Sequence, residues 1–120
     1  MEIIELSRKG LPKHAADILS KGISLTDREM AKILNLSERT FHRYREDTMF
    51  DTATTERLLQ LVSLYQKGEE VFESLENFKR WMRRSLRIFE NKTPLDLLDT
   101  ATGFQLVEDE LERIDYGVYV

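Results

Sequence analysis

Five basic residues crowd into residues 28–45 of this 120-residue chain: Arg28, Lys32, Arg39, Arg43 and Arg45, against only Glu29 and Glu38, for a local net charge of +3. Arginines four residues apart share one face of a helix. A guanidinium on such a face can donate two parallel hydrogen bonds to guanine, or charge-assisted bonds to a phosphate. The chemistry on offer is recognition of nucleic acid. Arg39 and Arg43 suit base edges, Ser37 and Thr40 suit phosphate oxygens, and Lys32 and Arg45 suit the sugar-phosphate backbone. Glu38 and His42 fall on the same outward, N-terminal side of that helix. His14 and His42 are the only histidines and there is no cysteine. Nothing near either histidine completes a metal set, so His42 is read as a base or phosphate contact, or as a plain surface residue.

These side chains need a scaffold, and residues 26–46 have the pattern of a helix-turn-helix. Thr26-Asp27-Arg28-Glu29 reads as a capping box, with Glu three residues after a Thr cap. Met30, Ile33 and Leu34 give the first helix its apolar face, and Ala31 is the small residue that lets two helices cross closely. Asn35 tolerates the left-handed conformation a tight turn demands. Ser37 caps the second helix, and Phe41 and Tyr44 turn its inner face to the core. A plain helical hairpin with a solvated charged face would carry the same charges, and such tri-helical units also serve as protein-binding modules.

The rest of the chain also reads as helices. Leu11-Pro12 opens a helix that Gly22 is expected to end. Asp51-Thr52 begins a longer one, striped by Leu58, Leu61, Val62 and Tyr65 and expected to stop near Gly68. Another gathers around Phe78, Trp81, Met82 and Leu86. Residues 91–94 form a turn with Thr93 as cap and Pro94 at the first helical position, followed by a short helix over 96–99. Phe104, Val107, Leu111 and Ile114 recur at helical spacing in the last helix. No segment alternates with period 2, so the expected class is all-α. The expected division is a helix-turn-helix unit over 1–50 and a helical domain over 51–120.

Composition sets the bounds. Hydrophobic residues at 41% and charged residues at 33% fit an ordinary globular chain. The net charge of −4 is unevenly spread: residues 1–50 hold 9 Lys/Arg and 8 Asp/Glu, whereas residues 51–120 hold 9 and 14. A local basic face on an acidic protein can still bind DNA. No apolar run approaches the roughly 20 residues that span a bilayer, and the first residues are too acidic for a signal peptide. With no cysteine for disulfides, a cytoplasmic setting is expected. No nucleophilic Cys, phosphate-cradling glycine loop or His–carboxylate–nucleophile set is present, so no catalytic residue, metal or cofactor is expected. The C-terminus presents Tyr116, Gly117, Val118, Tyr119 and Val120 after a helix carrying Glu108, Asp109, Glu112 and Asp115. Read alone, that is either a contact surface or a frayed chain end.

The stretch "LTDREMAKILNLSERTFHRY" at 25–44, "TTERLLQLVSLYQKGEEVF" at 54–72, Trp81, "TPLDLLDT" at 93–100 and "TGFQLVEDELERIDYGVYV" at 102–120 resemble the Xre/MbcA/ParS antitoxins. The resemblance starts near "RKGLP" at 8–12 and covers nearly the whole chain. It implies an Xre-like helix-turn-helix followed by a toxin-binding domain. It further implies a RES-domain toxin partner with an ADP-ribosyltransferase-like fold that consumes NAD or modifies a target with it. The antitoxin's C-terminal region would cover the toxin's active site, which places Glu112, Asp115, Tyr116, Gly117, Val118, Tyr119 and Val120 in the contact. The complex would bind operator DNA to repress its own promoter, and a homodimer is expected. A stand-alone helix-turn-helix regulator without a toxin shares the N-terminal half of this reading.

Overall fold

The computed structural model describes residues 2–117. Among them run seven α-helices: α1 (Glu2–Lys9), α2 (Lys13–Ile23), α3 (Asp27–Ile33), α4 (Glu38–Arg43), α5 (Thr52–Phe72), α6 (Leu75–Met82) and α7 (Ala101–Asp115). Two 3-10 turns, Arg87–Phe89 and Leu95–Leu97, lie between α6 and α7. Among the described residues, pairing of the extended kind is limited to two single bridges, Pro12 with Met49 and Leu86 with Lys92. The chain is all-α, as the missing period-2 pattern predicts. It divides into two compact units, one through Val62 and one from Ser63, with the division inside α5. No described helix is long and apolar enough to cross a membrane.

The first unit is built around Ala16, Met30, Ala31, Phe41 and Leu61, each no more than 1% exposed. The chain leaving α4 is fastened to the start of α2 by backbone hydrogen bonds. The Lys13 amide donates to the Thr48 carbonyl (2.8 Å), and the Phe50 amide donates to the Leu11 carbonyl (2.8 Å). Beneath them the buried Thr55 hydroxyl accepts from the Leu11 amide (3.1 Å) and donates to the Phe50 carbonyl (3.4 Å). Gly10 sits at φ +87°, and a Cβ there would run into the Phe50 carbonyl oxygen. Only glycine meets both conditions without strain.

In the second unit an aromatic group forms the centre: Tyr65 meets Phe78 edge-on at 5.0 Å, and Phe78 stacks on Trp81 at 5.8 Å. Phe104, Val107 and Leu111 of α7 are buried, in keeping with their spacing. Gly103 lets α7 press against the preceding turn, where a Cβ would overlap the Leu97 carbonyl.

Several helix boundaries differ from expectation. α1 precedes the first helix expected from the sequence, with Glu2 and Glu5 in its first turn and Arg8 and Lys9 in its last. Pro12 is the cap of α2, in extended conformation, rather than its first helical residue. α2 runs through Gly22 to Ile23, and Ser24 takes the left-handed position at φ 59°. α5 runs through Gly68 to Phe72. Gly68 packs rather than breaks, since a Cβ there would strike the Phe78 ring. Leu86 lies beyond α6, and the segment expected as a helix over 96–99 is a 3-10 turn over Leu95–Leu97.

Candidate functional site

The N-terminal site rests on the turn between α3 and α4. Thr26 caps α3 reciprocally: its hydroxyl accepts from the Glu29 amide (3.1 Å) and the Glu29 carboxylate accepts from the Thr26 amide (2.9 Å). At the other end Asn35 adopts φ 60°. The Leu36 amide then donates back to the Ala31 carbonyl (2.9 Å), and the Asn35 amide donates to the Lys32 carbonyl (3.1 Å). This pair of bonds is the Schellman ending, which satisfies carbonyls a helix end leaves open. Ser37 then caps α4, accepting from the Thr40 amide at 3.0 Å and donating to the Thr40 hydroxyl at 2.8 Å. The angle between the two helices is therefore held by local bonds as well as by burial of Ala31, Leu34 and Phe41.

α4 sits with Phe41 inward and with Glu38, Arg39, His42 and Arg43 exposed. The Lys13 ammonium lies 4.5 Å above the Phe41 ring, and Tyr44, half-buried, packs on Phe50 at 5.7 Å. Arg39, Arg43 and Lys32, all exposed, form no ion pair with another described residue. Their charge is therefore uncommitted. Arg45 approaches Asp47 at 3.6 Å across open solvent, a pairing too exposed to hold it firmly. His42 lies between two carboxylates, with Nδ1 3.7 Å from Asp27 and Nε2 3.6 Å from Glu38. Spacing along the chain does not show this link, which joins the first turn of α3 to the last turn of α4. The Ser37 hydroxyl is occupied in capping and Thr40 is half-buried, so both act first in shaping the helix.

The second surface is the outer side of α7. Glu110 is buried with the core-facing residues and accepts from Arg113 at 3.2 Å, whereas the other acidic residues lie on the exposed arc or at its margin. At 100° per residue, Leu106, Asp109, Arg113 and Tyr116 fall within about 80° of one another, and Glu108, Glu112 and Asp115 form a separate stripe on the far side of the exposed arc. Asp115 accepts a hydrogen bond from Lys67 at 2.9 Å. That bond raises the Lys67 pKa above its usual value, against an opposing desolvation, with the Asp115, Glu70 and Glu112 charges adding to the rise. Glu108 is pushed upward by partial burial first and by the Asp109 and Glu112 charges second. Glu112 and Tyr116 are exposed, Tyr116 at 79%, and Gly117 follows at φ +70°. Val118, Tyr119 and Val120 lie outside the described residues.

Beside α7 is a groove of about 290 Å³ lined by Ile88, Phe89, Leu97 and Leu106, with charged residues at its edge. Sequence reading missed it. Ile88 sits in a tight turn closed by the Leu86–Lys92 pairing, in which the Leu86 amide donates to the Lys92 carbonyl (3.1 Å). Such a segment has no period from which an outward apolar side chain can be read. Leu106 stands outside the i, i+3, i+7 series of its own helix and was passed over for that reason.

Comparison with known proteins matches both units. A family model described as the antitoxin Xre-like helix-turn-helix domain covers residues 2–63. A second, described as the antitoxin Xre/MbcA/ParS C-terminal toxin-binding domain, covers residues 67–117. No curated protein matches the chain. With a helix-turn-helix matched over more than half its length and a toxin-binding domain over most of the remainder, the chain belongs to the Xre/MbcA/ParS antitoxin family.

Proposed function

We propose that this protein is the antitoxin of a type II toxin–antitoxin pair that inhibits a RES-domain, NAD-consuming toxin by covering its active site, and that it represses its own promoter. The observation that carries the reading is the order of the two matched domains on one chain, a DNA-type helix-turn-helix followed directly by a toxin-binding domain. One molecule thereby links the toxin to an operator. It acts by binding, in the cytoplasm, and carries out no catalysis itself; the NAD chemistry belongs to the toxin.

On the DNA side, α4 enters the major groove with Arg39 and Arg43 toward base edges. Glu38 and His42 stand beside them, and Ser37, Thr40, Lys32 and Arg45 lie toward the phosphates. The uncommitted charge of Arg39, Arg43 and Lys32 supports this assignment. A single short recognition helix binds weakly, and a homodimer reading two half-sites about 34 Å apart remedies that. On the toxin side, Glu112, Asp115, Tyr116 and Gly117, with Val118, Tyr119 and Val120, form the contact that blocks the cleft. Asp115 exchanges Lys67 for a toxin group when it engages.

Co-expression with the product of the neighbouring reading frame tests the proposal, followed by co-purification and an assay of NAD consumption with and without the antitoxin. A complex in which NAD loss stops is the expected result. No complex, with NAD untouched, leaves a helix-turn-helix regulator without a toxin.

A further inference from the structure

From Ser63 onward, three large apolar side chains among the described residues are exposed: Ile88, Leu106 and Tyr116. A single exposed Leu or Ile carries no message. These three are grouped. Ile88 and Leu106 line the same groove, whose base is the buried Phe89 and the half-buried Leu97. Leu106 and Tyr116 share one face of α7, with Asp109 and Arg113 between them at i, i+3, i+7 and i+10. The groove's volume of about 290 Å³ falls at the foot of the range for small-molecule sites, about 300–1,000 Å³. No group of metal-ligating side chains occurs among the described residues. The groove suits one or two inserted side chains of a protein partner.

We propose that the toxin docks along this face, with an apolar side chain of the toxin seated between Ile88 and Leu106 and the contact continuing along α7 to Tyr116. The proposal rests on the toxin-binding reading above and narrows it to the Leu106 side of α7. Three features choose that side. The domain is matched as one that binds a toxin, and among its described residues the exposed large apolar side chains are confined here. The face runs on into Tyr116, where the C-terminal segment proposed to block the cleft begins. The opposite stripe offers no exposed large apolar side chain among the described residues; its Glu112 and Asp115 reach the toxin only at the C-terminal end, where they adjoin Tyr116. Asp109 and Arg113 give the groove a rim of mixed charge, the arrangement that excludes water around an apolar anchor.

The test uses the full-length chain with Ile88→Asp and Leu106→Asp, each substituting an exposed residue, and with Ser63→Asp as an exposed control outside the groove. Circular dichroism checks the helix content. Calorimetry measures the Kd for the purified product of the neighbouring reading frame, and light scattering measures the mass of each antitoxin alone. A rise in Kd of about tenfold or more for both groove variants, with Ser63→Asp and all masses unchanged, is the expected result. Wild-type Kd for both groove variants overturns the docking face and leaves toxin binding standing. A fall in antitoxin mass with unchanged Kd assigns the groove to a second copy of this chain, and also overturns it. Failure of the wild-type chain to bind removes the toxin-binding reading, and the docking face falls with it.

Discussion

Arg39 and Arg43 lie one helical turn apart on the exposed side of α4 with no ion pair to another described residue, whereas His42 between them is flanked by Asp27 and Glu38. The three side chains therefore differ in what they can lend to a ligand. Replacing Arg39 or Arg43 by Ala is expected to cost about 1–3 kcal/mol of operator affinity, read by gel shift at fixed salt, with toxin affinity unchanged. Normal operator binding by both variants would refute the assignment of α4. Glu108 offers a test of a different kind. Its raised pKa means that the folded state holds its proton longer than the unfolded chain does. Ionised Glu108 therefore reduces stability once pH rises above the ordinary value of 4.5. Glu108→Gln should stabilise the fold slightly at pH 7, by less than about 1 kcal/mol after solvent screening, seen as a small rise in melting temperature. The gain should vanish in thermal scans run below pH 4.5.

Among elements, helix ends and close approaches set the architecture. Asp51 caps α5 by accepting from the Thr54 amide at 2.8 Å. That bond to the Thr54 backbone, aided by the Thr54 side chain, holds the Asp51 carboxyl below its usual value. Asp51→Ala is expected to cost about 1 kcal/mol at pH 7 by denaturant titration. The sign follows from the lowered pKa: the stabilisation is full above the ordinary value of 3.8 and is lost as pH falls below it. The gap between variant and wild type should therefore close in strong acid. Gly103 is the tightest approach in the second unit. Gly103→Ala places a methyl group in the Leu97 carbonyl and should cost about 1–3 kcal/mol or more, with toxin affinity falling as α7 shifts. A melting temperature equal to wild type would show that the turn yields freely.

At the scale of the whole molecule, two compact units divide the proposed work between DNA and toxin. Damage to one should therefore leave the other intact. Removing residues 116–120 takes away no buried side chain among those described, so unfolding should be unchanged while the inhibition constant against the toxin rises. An unchanged constant would exclude the tail from the contact, and intact operator binding by the same variant would show that the units act independently. The proposed homodimer adds a second observable. If α4 meets the operator through Arg39, Arg43, Lys32 and Arg45 as proposed, affinity should fall steeply with salt, and a dimer should show about twice the slope of a single helix-turn-helix.

The all-α class, the capping box at Thr26, the left-handed Asn35, the Ser37 cap and the buried stripe of α7 were all legible in the sequence. Each depends on residues within one or two helical turns, where spacing and side-chain type suffice. The features that were not legible depend on neighbours distant in the chain. Gly22 and Gly68 looked like helix ends, yet the first is passed over and the second accommodates the Phe78 ring. Asp27 joins His42 across the turn, Asp115 takes up Lys67 from 48 residues away, and Ile88 and Leu106 line one groove from separate elements. A sequence states which side chains a helix carries and where it can start. Only packing decides whether a glycine breaks or fits, which charges are already paired, and which apolar side chains are left facing a partner.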